Sequence, residues 1–180
     1  MAPELAELVE KQAIRELVWA YSRAVDRHDF ALLRSLYTDD GIDDHGGIYC
    51  GPADGFVAWL RVAMAKVETS HAVHNHQIVL TDDGAIGEAY VTAYNRIPNG
   101  QGGFDEFIQG LRYIDRYRKE AGWWRFVHRK VAVDYAQHRP AFWDFEHPLL
   151  KGKCPALPGP DDVSYALLQH PLFARGGGCG

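Results

Sequence analysis

Only three cysteines, Cys50, Cys154 and Cys179, occur among the 180 residues, and no two of them form a CxxC pair. That leaves an odd thiol and excludes both a disulfide framework and a zinc knuckle. A reducing, cytoplasmic setting is the expectation. Positive charge is not in excess either: 19 Lys and Arg stand against 24 Asp and Glu, a formal net charge of -5. With no basic face to neutralise phosphates, nucleic acid and anionic membrane are not expected partners. No apolar run approaches the length of a membrane span. The stretch Met1–Lys11 lacks the basic region followed by an apolar core that a signal peptide needs, and it does not read as a transit peptide. Also missing are a phosphate loop, Gly-x-Gly-x-x-Gly, Gly-x-Ser-x-Gly and His-Glu-x-x-His. Nucleotide, flavin, esterase and zincin chemistries therefore have no local support, and no cofactor is expected.

What is present suits one compact domain: 47% hydrophobic and 24% charged residues. Nine Tyr, eight Phe and five Trp are enough to enclose a flat ligand, or simply to fill a bulky core. A small hydrophobic or aromatic molecule is the expected partner.

From Pro3 to Val25 apolar residues recur at three- and four-residue intervals, which predicts an amphipathic helix. A shorter helix follows from Phe30 to Tyr37, with Asp29 as N-cap. The acidic, glycine-bearing stretch Thr38 to Gly47 reads as a solvated turn without chemistry. A short strand at Ile48–Cys50 and a third helix from Ala53 to Lys66 come next. Beyond Glu68 the period changes to two. Four long strands are predicted, Thr69–Leu80, Ala85–Ile97, Phe104–Arg118 and Trp123–Tyr135, separated by Gly-bearing reversals. Helices first and a long meander afterwards indicate an α+β domain over residues 1–135, with the helices on one face of a curved sheet. Residues 136–180 form a proline-punctuated extension whose aromatic part, Phe142, Trp143 and Phe145, is expected to cover the pocket or a subunit interface. Its last residues are expected to be disordered.

Two features invite chemistry. Asp26 ends an otherwise apolar helix face, and a carboxylate there must reach solvent or hold a partner. His71, His74 and His76 fall at the start of the first long strand. Strict alternation sends His74 and His76 to one face and His71 to the other, unless a bulge intervenes. No acidic ligand follows at a short interval, so no metal site is expected.

These residues carry a resemblance. Tyr21 and Asp26 on the first helix, a short second helix through Leu36, His71 followed by Asn75, and the closing strand from Trp123 resemble the SnoaL-like branch of the nuclear transport factor 2 superfamily over about Leu5 to Tyr135. Within it the pattern is similar to scytalone dehydratase, lindane dehydrochlorinase and bile acid 7α-dehydratase. The resemblance implies a cone-shaped, mixed or antiparallel sheet and an Asp26–His71 acid/base dyad with Tyr21 as hydrogen-bond donor. It implies a cofactor-independent lyase that eliminates water or another small group from an aromatic or polycyclic molecule. An isomerase or cyclase using Asp26 as base, a ligand carrier, and the small subunit of a ring-hydroxylating dioxygenase are the alternatives on this fold. Two departures keep the substrate from being carried over: Tyr94–Pro98 offers no second histidine where scytalone dehydratase has one, and Val133 stands where the bile acid enzyme places an arginine. Tyr49, Trp59, Tyr94, Tyr113 and His128 are the expected pocket lining. Assembly as a homo-oligomer, dimer or trimer, is expected from the apolar convex face of such a sheet.

Overall fold

The computed structural model describes residues 2–141 and 147–168. Helix α1 (Pro3–Asp26) starts with proline in its first turn, where a missing N–H costs nothing, and buries Ile14, Leu17, Val18, Tyr21, Ala24 and Val25 along one stripe. On its first turns Leu5, Leu8 and Val9 stay exposed. His28 takes a left-handed backbone (φ 52) at the corner. Asp29 then caps α2 (Phe30–Ser35) by accepting the Leu32 N–H at 3.0 Å.

The stretch read as a solvated turn is strand β1 (Tyr37–Asp44), and this is the main correction to the fold. Its inward residues are Tyr37, Thr38, Gly41 and Asp43, and its outward ones include Asp39, Asp40 and Ile42. Polarity is thus nearly independent of facing, and hydrophobic periodicity gives no signal. A turn through Gly46 leads to β2 (Cys50–Pro52) and α3 (Ala53–Ala63). Four long strands follow, β3 (Glu68–Thr81), β4 (Gly84–Pro98), β5 (Phe104–Glu120) and β6 (Trp123–Pro140). Between β5 and β6 only Ala121 and Gly122 turn the chain, both with positive φ, the two-residue geometry that matches strand twist.

The six strands form one sheet in the order β2-β1-β6-β5-β4-β3. All pairs are antiparallel except β1 with β6, so the sheet is mixed. The three helices pack on its concave face, and their apolar stripes meet Ala85, Ala89, Val91, Leu111, Tyr113 and Phe126 in one core. β6 runs five residues past the expected end at Tyr135. In the extension, Leu157 to Tyr165 docks on the end of α1. Arg27 donates to the Leu157 carbonyl (2.7 Å) and pairs with Asp162 (3.2 Å), and Arg23 donates to the Ser164 hydroxyl (3.0 Å). Phe142, Trp143, Phe145, the terminal residues expected to be disordered, and Cys179 lie outside the described residues. Among the described residues no helix is long and apolar enough to cross a membrane.

Candidate active site

Asp26 closes α1, where the helix dipole disfavours a negative charge. The neighbouring strand β3 supplies the compensation. Thr69 and His71, two apart, point to the same face; the Thr69 hydroxyl donates to Asp26 Oδ1 at 2.8 Å and the His71 backbone N–H to Oδ2 at 2.9 Å. The His71 ring adds a third bond, Nδ1 to Oδ1 at 2.6 Å. Burial by itself would push the Asp26 carboxyl up; the ring bond, imidazole charge, backbone N–H and hydroxyl together outweigh it and hold the pKa below the ordinary carboxylate value. An ionised carboxylate only accepts. The neutral His71 ring therefore carries its proton on Nδ1 and leaves Nε2 as a free lone pair.

His71 and Asp26 are both nearly buried, and His71 opens onto a cavity of about 200 Å³ enclosed by the sheet and helices. Its walls are apolar and aromatic, with Tyr21, Phe56, Trp59 and Tyr113 beside Val25, Leu60, Met64 and Leu111. Ile48 and Val133, both well exposed, mark its mouth. The polar groups within are few: Thr69, His71, Asn95, Gln109 and His45. Beneath the Tyr21 ring lies Arg129, fully buried, bonded twice to Asp115 (2.9 and 2.7 Å) and 4.0–4.1 Å from the rings of Tyr21, Tyr113 and Phe126. Burial, and next the Asp43 charge, push the Tyr21 phenol well above its ordinary pKa against the opposing pull of Arg129, so it stays protonated and keeps a proton to donate. A shallower recess of about 300 Å³ reaches Asp26 and His71 from the outer α1–β3 edge, between Trp19, Arg23, Arg27 and Val73.

Tyr21, His71, Trp59 and Tyr113 thus share the cavity wall, with Asp26 behind His71. Three expected lining residues stand elsewhere. Tyr94 lies on the outer face of β4, because Ala89, Val91 and Ala93 face inward and the strand alternates; its neighbour Asn95 takes the place. His128 flanks inward-facing Arg129 and Val131 on β6 and projects to the other side. Tyr49 supports the wall from behind, stacking on Trp59 at 5.9 Å with its hydroxyl on the Pro52 carbonyl. Of the three clustered histidines, strict alternation fails: the β3–β4 register slips between Val73 and His76. His74 faces outward, opposite His71 as alternation requires, and meets the Thr92 hydroxyl; the bulge returns His76 to the inner face with His71. Asn95, Gln109 and His45 were missed by the sequence reading. Counting by twos from the small residues Ala89, Val91 and Ala93 would have found Asn95.

A SnoaL-like domain model matches residues 6–130. The chain belongs to the SnoaL-like family. Solved structures agree on the fold, nuclear transport factor 2-like with the cystatin-like arrangement. A hexachlorocyclohexane dehydrochlorinase (LinA, type 2) superposes with a TM-score of 0.69 at 21% identity, covering 81% of this chain and 98% of that one. A putative scytalone dehydratase from Novosphingobium aromaticivorans gives 0.65 at 22% identity over 73% and 88%. A nuclear transport factor 2-like protein with a cystatin-like fold from the same organism gives 0.60 at 22% over 74% and 87%. No curated protein sequence matches the chain. At these identities the likeness establishes the fold, and the chemistry has to be argued from the cavity.

Proposed function

We propose that the protein is a cofactor-independent lyase that removes a carbon-bound proton next to an activating group and expels a small leaving group from an aromatic or polycyclic molecule. The observation that carries this reading is the 2.6 Å contact between His71 Nδ1 and the ionised Asp26 at the wall of an aromatic cavity. His71 Nε2 is the base. Asp26 fixes its tautomer and stabilises the imidazolium formed in the step. Tyr21, kept protonated by burial, donates to the oxyanion that develops on the substrate. The Gln109 carboxamide has no protein hydrogen bond among the described residues and is free to orient a polar substituent. The names of the structural neighbours, a dehydrochlorinase and a putative dehydratase, support elimination as the reaction class.

An isomerase with Asp26 as direct base is disfavoured by the same geometry. Both Asp26 oxygens accept hydrogen bonds, and its pKa is depressed, so the carboxylate is a weak base facing the imidazole rather than the cavity. Apolar side chains on the outer sheet face, Ile86, Tyr90, Tyr94 and Ile114, support a homo-oligomer, dimer or trimer. Cys50 and Cys154 are free and exposed, which fits a reducing, cytoplasmic setting.

The test uses β-tetralone, a bicyclic ketone without a leaving group, incubated in heavy water, and γ-hexachlorocyclohexane, assayed for chloride release. Exchange of the α-proton or chloride release by the wild type, lost in His71→Gln, supports the reading. Equal turnover by wild type and His71→Gln would overturn it.

A further inference from the structure

A second histidine–carboxylate pair faces the cavity from the far end of the sheet. Asp43, on β1, is fully buried. Its Oδ2 accepts the Tyr37 hydroxyl at 2.5 Å, and its Oδ1 holds His45 Nδ1. His45 is further fixed by stacking on Phe56, 5.0 Å between centroids and 17° from parallel, and by its backbone N–H on the Tyr49 carbonyl at 2.7 Å. The ring lines the same cavity as His71 and is about one-fifth exposed. Its Nε2 has no hydrogen-bond partner among the described residues. A histidine needed only to satisfy Asp43 would need neither an open nitrogen in the cavity nor a stacked, oriented ring. Three strands, β6, β5 and β4, separate β1 from β3 in the curved sheet, yet two imidazoles, each with a carboxylate behind Nδ1, line one small space.

We propose that His45 is the acid of the cavity, protonating an oxygen leaving group while His71 removes the carbon-bound proton. This rests on the elimination reading above and adds to it the kind of bond broken. When His71 Nε2 takes the proton, the C–H electron pair becomes the new C=C bond. The C–O bond breaks with its pair on oxygen, and that oxygen takes the Nε2 proton of the His45 imidazolium and departs as water or an alcohol. His71 ends protonated and His45 neutral. A water-relayed proton from the first to the second restores the starting state. Buried Asp43 lies against Nδ1 of His45 to balance the imidazolium charge whenever that ring holds the proton, as Asp26 does for His71. The acid has a use only where the leaving group is a poor anion: an alkoxide or hydroxide needs a proton to depart, and chloride does not. The structure therefore assigns to this cavity a hydroxyl or ether oxygen β to a carbonyl in preference to an organohalide.

A series of β-aryloxy ketones tests this, from para-nitrophenoxy to para-methoxyphenoxy butanone, with phenol release as the readout. In His45→Gln the loss in kcat/KM grows from a few-fold at para-nitrophenoxide to about a hundredfold at para-methoxyphenoxide, the usual scale of a lost general acid. In His71→Gln the loss is large and similar at every member. Asp43→Asn, which keeps the side-chain volume, repeats the leaving-group dependence of His45→Gln and guards against a folding defect peculiar to one variant. Losses in both His45→Gln and Asp43→Asn that are flat across the series, or absent from it, overturn the assignment and leave the elimination reading standing. If the wild type releases phenol from no member, this inference fails, and the elimination reading is decided by the tetralone and chloride assays above.

Discussion

The two histidine–carboxylate pairs at opposite ends of the sheet solve the same electrostatic problem with different local structure. Asp26 sits at a helix C-terminus and is rescued by three donors from one neighbouring strand. Asp43 lies within a strand and is held by a phenol six residues before it and an imidazole two residues after it. The first pair joins residues 45 apart, so it assembles only when α1 docks on β3. The second is local to one strand and its turn. The comparison teaches that a catalytic-looking constellation does not need distant partners, and that a run of acidic residues can hide a buried one.

The largest effects come from separating the two pairs by chemistry. His71→Gln and Asp26→Asn are expected to lower the β-tetralone exchange rate by about two to four orders of magnitude. His45→Gln lowers it far less, since that probe has no leaving group; equal losses would mean that the pairs act as one unit. Stability comes next. Asp43→Ala strands the buried Tyr37 hydroxyl and the His45 ring, and a cost of about 1–3 kcal/mol is expected in urea unfolding. No change in the midpoint would show that the second pair is not formed.

A third histidine sharpens the contrast because it lacks a carboxylate of its own. His76 bonds only the Tyr117 hydroxyl (3.2 Å), and its Nδ1 has no partner among the described residues. Burial, opposed by Asp115 and reinforced by Arg129 and Arg15, pushes its pKa from 6.5 down to about 4. The unfolded chain therefore takes up this proton at higher pH than the folded one, so stability is lost as pH falls from 6.5 towards 4. Asp26 adds its own loss lower down: its depressed folded pKa contributes stability that is present above 3.8 and disappears as pH falls through the folded value. Thermal melts should show both, and His76→Leu should flatten the upper limb alone. The smallest effect is a control remote from both pairs. Ala121 holds φ 50 in the β5–β6 turn, so Ala121→Gly is expected to raise stability by up to about 1 kcal/mol and leave every rate unchanged.

How much of this was legible in the sequence depends on whether a residue's facing followed its polarity. The three helices and four long strands were legible, because their buried positions are apolar at period 3.6 or 2. β1 was not, because Thr38, Gly41 and Asp43 are its buried residues and Ile42 is exposed. Losing β1 as a strand concealed His45 with it. The Asp26–His71 contact was legible only through the family resemblance; alternation alone placed His71 opposite His76, and the bulge after Val73 that unites them has no signature in the residues. Tyr94 attracts notice by its aromatic ring, but the count along β4 gives the inward position to Asn95.

The central claim is that Asp26 holds the neutral His71 ring with its proton on Nδ1 and its Nε2 open to the cavity. Long-range nitrogen–proton correlation NMR of the labelled imidazoles reads this directly. The account predicts the Nδ1–H tautomer for His71 in the wild type and its loss in Asp26→Ala. A neutral His71 with its proton on Nε2, or a tautomer indifferent to Asp26, would contradict it.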